Sequence, residues 1–124
     1  MPQTIQDLVA DAAKEVELVD LGEARRRYDA GAVMIDVREP AEWMQGRVAG
    51  AVHVPRGLIE FQLPAVLTER AKAGEDVEPL VLYCGAGPRA ALAAQSLARL
   101  GLEAAALAPG GYQDWAEAGH PVEE

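Results

Sequence analysis

The single cysteine of the chain, Cys84, stands in the run Cys84-Gly85-Ala86-Gly87-Pro88-Arg89, between apolar Leu80-Val81-Leu82-Tyr83 and an alanine-rich stretch from Ala90 to Leu100. That order predicts a buried strand, a glycine-containing turn and a helix start. Such a turn gathers backbone N–H groups into a concave nest with the positive end of the helix dipole behind it, and a nest of that kind holds an anion. A thiol at its lip is pushed toward thiolate, because only the charged form gains the hydrogen bonds and the dipole. Cys84 is therefore a candidate nucleophile, cradled by Gly85, Ala86 and Gly87. Arg89, closing the turn, adds a permanent cation for an anionic substrate or for charge that develops on reaction. A lone cysteine also serves as a small buried hydrophobe. Here two glycines and an arginine surround it in place of packing residues, which favours chemistry.

The elements that must position this turn fit one domain, since 124 residues build one core but not two. Half the residues are apolar, enough to fold unaided. Twenty acidic against eleven basic residues give a formal charge of −9, which argues against nucleic acid or an anionic membrane as a partner. An acidic chain that handles an anion must concentrate its cations locally, so the placement of Arg38, Arg47, Arg56 and Arg89 matters more than their number. One cysteine forms no internal disulfide, no charged-then-apolar leader is present, and no apolar run reaches membrane-spanning length. These features predict a cytoplasmic protein. Two distant histidines and one cysteine offer no metal-ligand cluster.

Along the chain, Ile5, Leu8, Val9 and Ala12 recur at helical spacing, predicting an amphipathic helix over residues 4–14 that docks on the core or on a second subunit. Residues 15–19 read as a short edge strand, and Asp20 with Glu23 has capping-box spacing before a helix ending near Gly31. Arg25, Arg26 and Arg27 read as a solvated helix face. Val33 to Val37 is an apolar strand carrying Asp36 near its C-terminal end. Arg38-Glu39-Pro40 follows, with Pro40 suited to the first turn of a short helix bearing Glu42 and Trp43. Residues just beyond strand C-termini of an open α/β sheet face the ligand crevice. Asp36 and Arg38 are placed there, and ion-pair support of the loops is their expected role.

Residues 46–57 combine a glycine-rich turn, a brief strand and a proline stop, with arginines that could reach the same crevice. His53 alternates with Val52 and Val54 and reads as structural. Residues 58–61 and 64–71 predict two short helical pieces, and 72–78 a polar loop. After the Cys84 turn, Leu92, Leu97 and Leu100 lie among alanines suited to close packing, and Gly101 stops the helix. Residues 104–107 make a last strand, followed by Pro109-Gly110-Gly111 and a helix with Tyr112 and Trp115. Trp115 is expected in the core and His120 in an exposed loop. The alternation predicts an α/β fold with a mostly parallel sheet and the Cys84 loop at the strand C-terminal edge.

Taken together, Ile35-Asp36-Val37-Arg38-Glu39-Pro40 with Glu42-Trp43, then Gly46 through Pro55, Cys84-x-x-Gly87-x-Arg89, and Gly110-Gly111-Tyr112 with Trp115, Ala118-Gly119 and Pro121-Val122 resemble the single-domain rhodaneses, or thiosulfate sulfurtransferases. The run Pro55 to Phe61 looks like that of small bacterial members with an extra N-terminal helix. The resemblance implies a rhodanese-like five-stranded, mostly parallel sheet flanked by helices on both faces. It divides the chain into a helical extension, 1–15, and the domain proper, 16–122. It also implies that Cys84 takes the outer sulfur of thiosulfate or a related small anionic donor, releases sulfite, and passes the sulfur to a thiol or cyanide from a persulfide, with no metal or organic cofactor. Gly85, Ala86, Gly87, Arg89 and Arg56 would hold the substrate, and Asp36 and Arg38 would support the loops. A homodimer through the apolar face of residues 4–14 is a further expectation.

Three departures qualify the resemblance. Arg47 replaces a frequent histidine, Pro88 removes one N–H from the nest while stiffening the helix start, and Ala90 replaces a frequent hydroxyl residue. Two other functions compete. Phosphatases and arsenate reductases also set a cysteine and an arginine around an anion, but with five intervening residues, whereas four lie between Cys84 and Arg89. The shorter ring suits a sulfur atom better than a phosphoryl group. The third reading is a module that carries a persulfide to a protein partner.

Overall fold

The two most apolar stretches of the chain lie side by side at the centre of a parallel sheet. Strand β2 (Val33–Asp36) pairs with β5 (Leu80–Tyr83), so that Ile35 faces Leu82 and Asp36 faces Tyr83 in register. All eight residues are buried, as a parallel sheet covered on both faces requires. The computed structural model describes residues 2–124; Met1, the first residue of the expected extension, lies outside the described residues.

Around that pair, β1 (Glu17–Val19), β4 (Val52–His53) and β6 (Ala105–Leu107) complete a five-stranded sheet in the order β1-β6-β5-β2-β4, every neighbour parallel. A separate antiparallel pair joins β3 (Arg47–Val48) to β7 (Val122–Glu123). Helices cover both faces. On one side Val33, Ile35, Leu80, Leu82 and Ala106 pack against α4 (Ile59–Lys72) and α5 (Pro88–Ala98). On the other, Met34, Val81, Tyr83, Ala105 and Leu107 pack with Ala24 of α2 (Leu21–Asp29) and Trp115 of α6 (Tyr112–Glu117). The short α3 (Pro40–Gln45) follows β2 at the strand C-terminal edge.

Helix α1 (Ile5–Glu15) is capped by Thr4 and Asp7 in a reciprocal box and lies along α5, burying Ala12. Small side chains permit this close stacking: Ala90, Ala91, Ala93 and Ala94 of α5 are buried with Leu97, while Leu92 is half-buried and Leu100 exposed. The core-facing stripe of α5 is thus made of the alanines the sequence marks as suited to close packing, joined by Leu97.

Three expectations are corrected. Residues 59–72 form one helix through Pro64, preceded by a 3₁₀ turn at Arg56–Leu58. Ile59 and Leu63, both fully buried, anchor consecutive turns ahead of Pro64, and their packing outweighs the lost hydrogen bond. Only Arg26 is a solvated arginine of α2: Arg27 bridges Glu17 at 2.6 Å and Glu23 at 2.8 Å, and Arg25 pairs with Asp29. His120 is not a free loop residue. Its Nδ1 accepts from Arg25 Nη1 at 2.9 Å, and its ring meets Trp115 edge-on.

The alanine stripe yields a stability test. Ala93→Leu forces added methylenes against the sheet and is expected to lower unfolding free energy by about 1–3 kcal/mol. Urea denaturation reads it; a change within about 0.5 kcal/mol would show slack packing between α5 and the sheet.

Candidate active site

Strand β5 delivers Cys84 to the C-terminal edge of the sheet, directly before the first turn of α5. The Cys84 side chain is fully buried, and the N–H of Gly87 donates to Sγ at 3.1 Å. Gly87 takes φ of +115°, a conformation open to glycine, and a Cβ there would stand 2.9 Å from the Cβ of Ala108. Pro88 opens the helix with no N–H, at the position where none is needed. The N–H groups of Arg89 and Ala90 find no acceptor among the described residues, as the first turn of a helix leaves them. A sulfur-centred anion at Sγ therefore meets an N–H already in place and a helix N-terminus with free donors.

The loop is backed by residues 108–112. Tyr112 N donates to the Cys84 carbonyl at 2.8 Å and Gly110 N to the Ala86 carbonyl at 3.2 Å. A Cβ on Gly111 would collide with the carbonyl oxygens of Cys84 and Gly85, so a glycine is required by close approach. Gly110 beside it has its own cause, a φ of +95° and a side-chain carboxylate of Asp114 that would lie 2.8 Å from a Cβ. Sequence reading placed a turn there without connecting it to the cysteine.

Arg89 lies at the mouth, but not as a free cation. Its Nη1 and Nη2 form a bidentate fork on Glu42 of α3, at 2.7 and 3.1 Å. The Glu42 side chain is itself fixed, because Oε1 also accepts the Glu39 N–H at 3.0 Å. Arg89 holds the Glu42 carboxyl at about 2, well below its usual 4.5. A Cβ on Gly85 would stand 3.2 Å from Arg89 Nη2 and 4.0 Å from Glu42 Oε2, which sets the pair across that side of the loop. Glu42 is placed by the sequence in a short helix and in the Glu42-Trp43 motif, with no role at the cysteine. Its pairing with a residue 47 positions away has no local signal.

Asp36 and Arg38 form the buried support beneath the site. Arg38 Nη2 meets Asp36 Oδ2 at 2.8 Å, and the Arg38 N–H donates to Oδ1 at 2.9 Å. The Tyr83 hydroxyl donates to Asp36 Oδ2 at 2.6 Å and accepts the Val48 N–H at 3.1 Å, while Arg38 Nη2 also reaches the Gly46 carbonyl at 2.6 Å. Burial and the Asp36 charge push the Tyr83 hydroxyl far up, so it stays a donor. Burial opposes the Arg38 charge, but the hydrogen bond and attraction to Asp36 more than offset it. The guanidinium also lies 4.3 Å from the Tyr112 ring.

The other basic residues have partners of their own. Arg56 pairs with Glu60 at 3.0 Å, and the same Glu60 oxygen accepts from Ser96 on α5. Arg56 is thus tied to α4 through Glu60. Arg47 stacks on Trp43, which in turn stacks on His53 at 4.7 Å. His53 Nε2–H donates to the Arg38 carbonyl at 2.8 Å, the structural role expected of it. Of the predicted cations, Arg89 lies against the loop, beside Gly85.

The family model described as a rhodanese-like domain matches residues 20–118. The chain belongs to the rhodanese family. Strand β1 and helix α1 precede the matched region, although β1 is an edge strand of the main sheet. A mitochondrial protein of Schizosaccharomyces pombe, named as a candidate thiosulfate sulfurtransferase, is 31% identical over 94 residues, covering 72% of this chain and 66% of the yeast protein. The alignment thus spans just under two thirds of that relative. A solved Rhodopseudomonas palustris protein, described as of unknown function and a possible tyrosine phosphatase, superposes with a TM-score of 0.77 at 28% identity, over 99% of both chains. The polysulfide-sulfur transferase homodimer of Wolinella succinogenes gives 0.68 at 29% identity, covering 95% of this chain and 85% of that chain. No helix among the described residues is long and apolar enough to cross a membrane.

Two outcomes follow from the paired charges. Asp36→Asn leaves the buried Arg38 without its counter-charge and is expected to cost about 3–5 kcal/mol in chemical denaturation; a loss under about 1 kcal/mol would contradict a supporting role. Glu42, whose carboxyl is depressed in the folded protein, stabilises the fold fully above about pH 4.5 and loses that contribution as the pH falls toward about 2. The gap in melting temperature between wild type and Glu42→Gln should be constant near neutrality and close over that acidic window. A gap that widens toward acid would reverse the assignment.

Proposed function

We propose that this protein is a sulfurtransferase that loads a sulfane sulfur onto Cys84 from thiosulfate or a related donor and passes it to a thiol or cyanide. The observation that carries this reading is the buried Sγ held against the Gly87 N–H at the open N-terminus of α5. In the first step the Cys84 thiolate attacks the outer sulfur of thiosulfate. The new S–S bond takes the place of the S–S bond to the sulfonate, whose electron pair leaves with sulfite. In the second step cyanide attacks the outer persulfide sulfur, thiocyanate departs, and the thiolate is restored. The charge is an anion on sulfur throughout, which is what N–H donors in a water-poor loop stabilise. A protein thiol is an acceptor of the same chemical class, so the carrier role uses the same intermediate. The Wolinella likeness supports polysulfide as a donor and a homodimer as the assembly, and Ile5 and Leu8 of α1 stay exposed to form one.

The likeness to a possible tyrosine phosphatase favours phosphoryl transfer as the second reading. Against it stands the ring of four residues between Cys84 and Arg89, with Arg89 turned to Glu42. Assays of thiocyanate formation and of aryl phosphate turnover on wild type and Cys84→Ser separate the two. The expected result is thiocyanate from wild type alone, with the variant's melting temperature unchanged and no phosphate released. Thiocyanate formation surviving in Cys84→Ser would remove the cysteine from the mechanism, and phosphate release lost in that variant would establish the second reading.

A further inference from the structure

The cation at the loop mouth is already occupied by a carboxylate of the same chain. Both terminal nitrogens of Arg89 are engaged by the two oxygens of Glu42, each side chain being 38% exposed. Glu42 cannot swing aside freely, because Oε1 also closes the N-terminal capping box of α3 through the Glu39 N–H. The side chains at the mouth therefore sum to zero charge, within a protein of formal charge −9. The other nearby arginines supply no substitute, since Arg38 is spent on Asp36 and Arg56 on Glu60.

An arriving dianion gains little from a cation so neutralised, and the backbone N–H groups that remain bind one sulfur-centred charge as well as two. We propose that Glu42 is a positioning residue that sets donor charge preference, by holding Arg89 in a neutral pair so that the Cys84 loop does not favour dianionic over monoanionic sulfur donors. This rests on the sulfurtransferase reading above and adds a determinant to it. The discrimination is a difference of affinities, produced as much by what Glu42 withholds from the dianion as by what the loop offers.

Two donors of similar shape test it. Thiosulfate carries two charges; methanethiosulfonate replaces one sulfonate oxygen by methyl and carries one. Attack by the Cys84 thiolate on the terminal sulfur gives the same persulfide from both, releasing sulfite from the first and methanesulfinate from the second. Glu42→Gln keeps the shape and the acceptor for Glu39 N–H while freeing the Arg89 charge. The ratio of kcat/KM for thiosulfate to that for methanethiosulfonate should rise about tenfold, mainly through a lower thiosulfate KM. Glu42→Asp, which keeps the charge, should stay within about twofold of wild type. An unchanged ratio in Glu42→Gln, or an equal shift in Glu42→Asp, overturns the proposal. On wild type alone, sulfate and methanesulfonate should inhibit methanethiosulfonate loading within about twofold of each other, and a tenfold advantage for sulfate also overturns it. If neither donor loads Cys84 in wild type, the sulfurtransferase reading itself fails, a result distinct from loading with an unaltered ratio.

Discussion

Asp36 carries a charge at the end of the central strand with no exposure to water, and the architecture around the site follows from keeping that charge paired. One carboxylate collects the Arg38 backbone N–H, the Arg38 guanidinium and the Tyr83 hydroxyl. Through Tyr83 it fixes the Val48 N–H, and through Arg38 the Gly46 carbonyl and the Tyr112 ring. Those contacts tie β2, β5, β3 and α6 together at one edge of the sheet. Cys84 is the next residue after Tyr83. An unpaired ion at this depth costs several kcal/mol, so the pieces are held to one arrangement.

A division of labour follows. The buried charges at Asp36 and Arg38 set the loops, while the site above is built from backbone: an N–H on Sγ, a helix N-terminus, and glycines that let residues 108–112 press against residues 84–87. Side-chain cations contribute less than an anion-handling site suggests. Arg38, Arg56 and Arg89 each face an intramolecular carboxylate, and Arg47 faces Glu123 at 3.6 Å. A chain with twenty acidic residues has carboxylates available for each of its arginines. Backbone donors cannot be neutralised in that way, which makes them the dependable part of the site.

The fold was legible where local pattern and tertiary environment agree. Leu80 to Tyr83 and Val33 to Asp36 are short, apolar and bounded by polar or glycine residues, and they became the central strands. The Cys84 loop was legible because its residue types are costly elsewhere. Contacts between distant residues were not. Glu42 meeting Arg89, Glu60 taking Arg56, and Arg25 reaching His120 depend on which helices the sheet brings together. Proline at 64 misled because the rule that it breaks helices is local, while Ile59 and Leu63 are held by the core. The pairing of β3 with β7 joins two-residue strands across most of the chain, too short to carry a periodic signal.

The most direct measurement of the central claim, that Cys84 holds a transferable sulfur, is the intact mass of the protein before and after thiosulfate and again after cyanide, with Cys84→Ala alongside. The expected result is a gain of one sulfur atom on wild type alone, reversed by cyanide with release of thiocyanate. A gain of equal size on Cys84→Ala, or none on wild type with thiosulfate, methanethiosulfonate and polysulfide alike, would contradict it.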